Sequence, residues 1–336
     1  MTAIFVILIF CLLVVSHEFG HFIVAKACNV YVTDFSVGMG PKLAAWQGKE
    51  TQYTIRLLPV GGWCKMVGEE EDSDDPRAFN RKPVWQKMLI VFAGPLMNFV
   101  MAILLFIIIF MMIGTYSSGN QVGQVAENSG AAQAGLEPGD YIVAIGGETV
   151  TEWADIGGAM ARADKNDTVP VQVERDGQTL TLQVTPYFDQ EAGGWKLGIM
   201  PREERQNLFA AIALGVRQSV EFTRLLILAL VQMFTGQIAF DVAGPVGIVS
   251  VVDQAASSGL QNVLLLTGYL CINLGIINLL PFPALDGCQL LIFAIEGIRR
   301  KPFDRDKIGL INFIGLAVLL GLMALITYRD IIRLLE

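Results

Sequence analysis

The chain has 336 residues, of which 53% are hydrophobic and only 17% charged, and its formal net charge is −8. This composition is too apolar for an ordinary soluble enzyme and indicates a membrane protein, for which no nucleic-acid partner is expected. The five cysteines contain no C-x-x-C pair, so the sequence suggests neither a disulfide framework nor a thiolate zinc site.

The first predicted element is a membrane crossing over residues 1–27. It opens with the uncharged stretch "MTAIFVILIFCLLVVS" and continues, after two histidines, as "FIVAKA". A cleaved signal peptide is the alternative, but it requires a basic start and a small-residue cleavage site. The first basic residue is Lys26, so we favour a crossing.

This crossing carries the motif "HEFGH". His17 and His21 are four residues apart, which places two imidazoles on one face of a helix. Two such imidazoles suit a tetrahedral zinc ion, and Glu18 beside them can accept a proton from a metal-bound water. They are the only two histidines in the chain, and a glutamate in a bilayer is costly without a partner.

A polar block at 28–88 with eight Lys/Arg follows, and then a second apolar segment at 88–114. The positive-inside rule places the basic block in the cytoplasm. The acidic run "EEEDSDD" at 69–75 is interpreted as a solvated loop without a function. Residues 1–114 therefore form a first transmembrane half.

Residues 115–208 differ from the rest, because they hold 14 Asp/Glu against 6 Lys/Arg. Short strand-like runs alternate with turns, a helix is predicted at "DIGGAMARA", and "RDGQ" between two alternating runs predicts a β-hairpin. We expect a soluble acidic domain outside the membrane.

The last third begins with a connector, 209–258. Its charged residues Arg217, Glu221 and Arg224 share one helical face, which favours an interfacial helix over a fifth crossing. Crossings are predicted at about 259–281 and at 308–328, within a second transmembrane half at 259–336. The basic link "RRKPFDRDK" between these two crossings is cytoplasmic by the same rule. The N-terminus, acidic domain and C-terminus then lie outside.

A catalytic zinc needs a third protein ligand, and Asp286 is the leading candidate. It ends an uncharged span broken by Pro281 and Pro283, and an acid so placed is a functional candidate. Cys288 is the alternative ligand, and Asp286 could instead cap a helix at the membrane surface. The histidines lie about 25 Å from the start of the first helix, and Asp286 follows a crossing that also descends from outside. The histidines and the aspartate therefore reach the cytoplasmic side at matching depth.

Four motifs in this order resemble the site-2 proteases, and above all the bacterial regulator-of-sigma intramembrane zinc metalloproteases. They are "HEFGH", "FNRKP" (79–83), "AGPLMNF" (93–99) and "NLLPFPALDG" (278–287). The resemblance implies one Zn²⁺ bound by His17, His21 and Asp286, with Glu18 as the general base.

The same resemblance implies a substrate-binding region beside the metal. The stretches "VGMGPKL" and "RLLPVGGWCKM" resemble β-structured loops that dip into the membrane, where an exposed edge can pair with an unwound substrate. The implied substrate-binding residues are Asn273, Asn278, Pro281, Pro283 and the Gly-x-Gly residues Gly38, Met39 and Gly40.

By this resemblance, residues 115–208 are a single PDZ domain. The expected fold class is a polytopic α-helical membrane protein of about four transmembrane helices, with membrane-associated β loops and one inserted α/β PDZ domain. The expected function is cleavage of single-pass membrane proteins within or near their transmembrane segment in the bacterial plasma membrane. Substrates would be anti-sigma factors, trimmed first by a site-1 protease, or remnant signal peptides, and lipid surrounds the protein.

Two other functions are compatible with the same sequence features. Intramembrane His, Glu and Asp also mark ion transporters, but these predict inverted hydrophobic repeats, which the sequence lacks. A catalytically silent scaffold acting through its PDZ domain is the other alternative, and it predicts no effect of Glu18→Gln.

Overall fold

The computed structural model describes residues 2–69, 71–163, 168–189, 194–238 and 244–335. The chain divides into two compact units, the first comprising Met1–Ile109 and Ala211–Glu336 and the second comprising Phe110–Ala210. The described helices are α1 (Thr2–Ala27), α2 (Val84–Met112), α3 (Gly130–Gln133), α4 (Trp153–Arg162), α5 (Leu208–Phe234), α6 (Pro245–Ser257), α7 (Leu260–Leu279), α8 (Asp286–Arg299) and α9 (Arg305–Leu335).

The described strands are short except for the first two. They are β1 (Val32–Gln47), β2 (Gln52–Met66), β3 (Thr115–Tyr116), β4 (Val122–Val125), β5 (Tyr141–Ile145), β6 (Glu148–Thr149), β7 (Val169–Arg175), β8 (Gln178–Val184), β9 (Tyr187–Asp189), β10 (Gly194–Lys196), β11 (Ile199–Pro201) and β12 (Glu203–Glu204).

In the described part of the chain, four helices are long and apolar enough to cross a membrane. They are α1, α2, α7 and the Asp306–Arg333 part of α9. A helix satisfies its backbone hydrogen bonds internally, which the bilayer core requires. The four predicted crossings are therefore confirmed as helices of membrane-spanning length. Helix α2 begins at Val84, before the predicted start at residue 88. The Pro83 carbonyl accepts the first hydrogen bonds of this helix, and proline is well tolerated at a helix start.

Small residues bring α2 close to its neighbours. A Cβ atom on Gly20 of α1 would lie 2.1 Å from the Ala93 carbonyl oxygen, and one on Gly275 of α7 would lie 2.9 Å from the Phe99 ring. Such distances admit only glycine, and they allow the backbones of packed membrane helices to approach closely. Helix α2 is thus fixed between α1, which carries the two histidines, and α7, which precedes the loop that leads to Asp286.

Strands β1 and β2 form a long antiparallel hairpin, in which Val32 pairs with Met66 and Gln47 with Gln52. Its register shifts repeatedly, and Gly38, Gly40 and Gly61 have φ of +86°, +85° and +79°, which residues with a side chain rarely adopt. The hairpin base belongs to a buried cluster with α1 and α2, while its outer half is exposed. The buried members are Ala25, Val30, Val32, Phe35, Cys64, Met66, Phe79, Ile90 and Val91.

The second unit has its own core beneath an antiparallel sheet of order β6-β5-β7-β8. Ile142, Ile145, Val171 and Val173 of this sheet are fully buried. Residues 176 and 177 connect β7 to β8 with φ of +53° and +75°, so the predicted "RDGQ" hairpin is confirmed.

Helix α5 follows the second unit and contacts helix α7 of the first. The Gln218 side-chain amide donates to the Tyr269 hydroxyl over 2.9 Å, and the rings of Phe222 and Tyr269 are 4.3 Å apart. The interfacial position of α5 stays a prediction. Residues 239–243 of the predicted connector lie outside the described residues.

Candidate active site

The two histidines of α1 point their rings at one another. Their Nε2 atoms are 3.2 Å apart. The Nδ1 atom of His21 lies 2.9 Å from the Ile90 carbonyl oxygen, which can only accept a hydrogen bond, so Nδ1 carries the proton of a neutral imidazole. This tautomer leaves the Nε2 lone pair of His21 free to bind a cation.

Asp286 completes the group from the other half of the chain. Helix α7 ends at Leu279, and a loop with two prolines leads to Asp286, the first residue of α8. Its Oδ2 atom is 3.2 Å from His17 Nε2 and 3.5 Å from His21 Nε2. Residue 285 occupies the N-cap of α8 and no side chain caps it, so the structure does not support the helix-cap alternative.

The loop before Asp286 is itself anchored. The Asn312 side-chain oxygen of α9 accepts a hydrogen bond from the Ala284 backbone N–H over 3.2 Å. A Cβ atom on Gly287 would lie 2.3 Å from the carbonyl oxygens of both Leu279 and Leu280, so the chain can fold back here only with glycine at 287. These constraints hold the carboxylate against the histidines.

The three side chains fit zinc. A tetrahedral ion with bonds of about 2.0–2.1 Å separates its ligand atoms by about 3.3–3.4 Å, and the observed separations are 3.2, 3.2 and 3.5 Å. Among the described residues, these three form the only group of His, Cys, Asp or Glu that could hold a metal ion, so the alternative ligand Cys288 is not part of it. Asp286 Oδ2 is buried without a hydrogen-bond partner in the described part of the chain, as expected of a ligand atom.

Gly94 of α2 leaves space for the ligands. A Cβ atom there would lie 2.3 Å from His21 Nε2 and 2.9 Å from His17 Cε1. Sequence reasoning did not identify this glycine, although it belongs to the quoted motif "AGPLMNF".

Glu18 stands beside the group but is not one of its candidate metal ligands. Glu18 and Cys64 of β2 line the same cleft. A Cβ atom on Gly62 would lie 3.2 Å from Glu18 Cγ, so the base of the hairpin packs against this side chain. The hairpin therefore orients the glutamate.

A cleft of about 1470 Å³ reaches this group from the polar loops. His17, Glu18, His21, Asn278 and Asp286 line one part of it. The acidic run that the sequence analysis left without a function contributes to the cleft wall through Asp72, Ser73 and Asp74. A polar cleft of this size gives water a path to the buried ligands.

Two asparagines face the outer nitrogen of His17. The Nδ2 atoms of Asn98 and Asn278 are each 3.4 Å from His17 Nδ1. Asn98 is fully buried, and the sequence analysis assigned it no role. Asn278 lines the cleft, as a substrate-contacting residue should.

The remaining predicted substrate-binding residues lie further from the ligands. Pro281 and Pro283 belong to the loop between α7 and α8, and Asn273 lies 13 positions before Asp286 on α7. Gly38, Met39 and Gly40 lie in β1, with Met39 paired to Leu58 and 48% exposed. None of these six is among the described residues that line the cleft, and their substrate contacts stay predictions.

The chain is similar to known proteins over most of its length. The sequence profile of peptidase family M50 matches residues 5–322. A Clostridium acetobutylicum protein is 38% identical over 328 residues, which cover 97% of this chain and 96% of its own. The Bacillus subtilis regulator of sigma-W protease RasP is 33% identical over an alignment of 419 positions, which covers 99% of both chains. The Bacillus licheniformis zinc metalloprotease RasP is 32% identical over 417, with the same coverage.

The crystal structure of the PDZ domain of an SdrC-like protein from Listeria monocytogenes is also similar in part. It is 21% identical to this chain, covers 25% of it and 88% of its own length, and has a TM-score of 0.22. The membrane helices and the profile match together confirm the predicted fold class, a polytopic helical membrane protein with an inserted α/β domain.

Proposed function

This chain belongs to peptidase family M50 and is an intramembrane zinc metalloprotease of regulated proteolysis, and we propose that it cleaves single-pass membrane proteins within or near their transmembrane segment. The observation that carries the proposal is the convergence of His17, His21 and Asp286 within 3.5 Å of one another. His17 and His21 belong to α1, which is long and apolar enough to cross a membrane. Asp286 begins α8 after the loop that follows α7, another such helix. The substrates we propose are an anti-sigma factor already trimmed by another protease and remnant signal peptides.

We assign His17, His21 and Asp286 as the zinc ligands and Glu18 as the general base. Zinc, when bound, acidifies a coordinated water to a pKa near 7 and polarises the scissile carbonyl. Glu18 accepts the proton of the attacking water and returns it to the leaving amine. Gly62 of the hairpin packs against the Glu18 side chain and so restricts the positions that its carboxylate can take.

The hairpin and Asn278 are the proposed substrate contacts. A transmembrane helix hides its peptide bonds in its own hydrogen bonds, so it must unwind before cleavage. The exposed outer half of β1 and β2, with Gly38, Met39 and Gly40, offers backbone partners for the freed groups by strand addition. Asn278 can hold the unwound segment near the catalytic glutamate, because it lines the same cleft.

The proposed orientation follows from charge. The hairpin, the acidic loop and the link between α8 and α9 belong to the polar blocks that the positive-inside rule assigns to the cytoplasm. With four crossings, the N-terminus, the second unit and the C-terminus lie outside, and the active site opens toward the cytoplasm. We propose that the second unit acts as a PDZ domain that admits substrates only after a site-1 protease has trimmed them.

The test is cleavage by Glu18→Gln. Purified protein is given a model transmembrane substrate, and zinc content is measured in parallel. The variant should retain one zinc and lose about 10²–10⁴-fold in cleavage rate, because only the proton acceptor is removed. Glu221→Gln, an exposed glutamate of α5, is the matched control and should cleave normally. Undiminished cleavage by Glu18→Gln would exclude the proposed base, and absence of cleavage by the wild type would favour the transporter or scaffold alternatives.

A further inference from the structure

Asn98 is a fully buried amide that touches α1 at two points. Its Oδ1 atom is 2.7 Å from Ser16 Oγ, and its Nδ2 atom is 3.4 Å from His17 Nδ1. Asn98 is 0% exposed and Ser16 3% exposed, so water cannot replace either partner. A buried polar chain of this kind is stable only if every donor meets an acceptor.

The Ser16 hydroxyl has a single proton and two acceptors within reach, the Leu13 carbonyl oxygen at 2.9 Å and the Asn98 side chain at 2.7 Å. In the first of these two arrangements, Leu13 accepts the proton. The hydroxyl then has only lone pairs left, and these require a donor from Asn98. The two ends of an asparagine amide have the same shape, so a half-turn directs the NH₂ group to Ser16 and the carbonyl oxygen to His17 Nδ1.

The same arrangement is the one that metal binding needs. With Asn98 as acceptor, Nδ1 of His17 carries the proton and its Nε2 lone pair faces Asp286 and His21. The Ile90 carbonyl does the same for His21. Partners of this kind orient a metal-binding histidine and select its tautomer.

We propose that Asn98 is a positioning residue whose side-chain carbonyl accepts the Nδ1 proton of His17 and so presents His17 Nε2 to zinc. The inference rests on the proposed assignment of His17 as a ligand. The Nδ1–H group of His17 needs one acceptor. Asn98 is held in place by Ser16, whereas Asn278, which is equally close to His17, lines the open cleft. Asn278 is thereby left to contact the substrate.

Three variants of the full-length protein in detergent test this assignment, with zinc affinity measured by competition against a chelator. Asn98→Leu removes the acceptor and should bind zinc about 10- to 100-fold more weakly. Asn98→Asp keeps an acceptor toward His17 and should stay within about threefold of the wild type. Asn278→Leu should keep wild-type zinc affinity while it loses cleavage of the model substrate.

A fourth variant controls for the loss of a buried polar group. Thr267 is buried in α7, where its hydroxyl donates to the Val263 carbonyl of its own helix, so Thr267→Val should bind zinc normally. Thermal unfolding of the metal-free proteins shows which variants are folded. If Asn98→Leu does not fold, Asn98→Asp and the spectrum described next still decide the question.

Nitrogen-15 NMR of labelled histidine provides a readout independent of activity. The chain has only two histidines, so the zinc-loaded protein should give two slowly exchanging Nδ1–H signals. Asn98→Leu should lose protection of one of them and keep the other. Three results would each overturn the inference: zinc affinity of Asn98→Leu equal to that of the wild type, zinc affinity of Asn98→Asp as weak as that of Asn98→Leu, or a histidine Nε2–H signal from the zinc-loaded wild type. Failure of the wild type to bind zinc would instead refute the proposed function itself.

Discussion

Gly94→Ala adds one methyl group at the proposed zinc site. Alanine favours a helix by about 1 kcal/mol relative to glycine, so the substitution does not weaken α2 through its backbone. The new Cβ atom, however, would lie 2.3 Å from His21 Nε2 and 2.9 Å from His17 Cε1. We therefore expect a folded protein whose histidines cannot both reach the metal.

The size of the effect follows from these distances. Ordinary contacts of a Cβ atom begin at 3.4 Å, so His21 Nε2 must retreat by the difference between 3.4 and 2.3 Å, about 1.1 Å. A zinc site tolerates about 0.2 Å, so one ligand is lost. Zinc sites with a full ligand set bind with about 10–16 kcal/mol, and one ligand's share of about 3 kcal/mol corresponds to ~100-fold weaker binding.

The assay is zinc content and zinc affinity of the purified variant, followed by cleavage of a model substrate. Gly321→Ala is the matched control, because it adds the same methyl group to a membrane helix where nothing lies within 4 Å. Control and wild type should both hold one zinc. Wild-type zinc affinity in Gly94→Ala would show that the histidines do not bind metal in the arrangement described.

Three further predictions concern the ligand, the second unit and the substrate. Asp286→Ala should lower zinc content, measured by metal analysis, as strongly as His21→Ala does. Full zinc loading of Asp286→Ala would indicate that Cys288 is the third ligand instead. Burial alone would raise the pKa of Asp140, but the Arg175 side chain and the Glu137 N–H bond its carboxylate and hold the pKa below its ordinary value. The resulting stability is present above the unfolded pKa of about 3.9 and is lost as pH falls through the lower folded pKa. Asp140→Asn should therefore unfold about 1–3 kcal/mol more easily at pH 7, with a difference from wild type that shrinks below pH 4 in denaturant titrations; a difference independent of pH would contradict this ion pair. Substrates with strong helix formers across the scissile segment should be cleaved more slowly, and equal rates would argue against unwinding.

The sequence was most informative where a feature is local. The apolar runs predict the four long helices, the spacing of His17 and His21 predicts their shared face, and Asp176-Gly177 predicts a tight hairpin. Each depends only on residues within a few positions of one another, so periodicity and turn chemistry suffice.

Features that depend on how helices meet could not be predicted in the same way. Gly94 and Asn98 lie about 80 positions from the histidines, and which turn of α2 faces α1 is fixed by close packing at Gly20. The acidic run at 69–75 carries no sequence signal for the cleft, because its position follows from the hairpin and the loop before α2. Asp286 could be proposed because an acid after an uncharged, proline-broken span is rare enough to stand out.

Helix α2 supplies the surroundings of the ligands, although it contributes none itself. Ile90, Gly94 and Asn98 are spaced by four residues and therefore share one face. Along that face, successive turns offer a carbonyl acceptor for His21, space for both rings, and an amide beside His17. Pro95 has no N–H for the Val91 carbonyl and loosens the helix next to Ile90. The motif "AGPLMNF" thus has a physical explanation in the orientation of the two histidines.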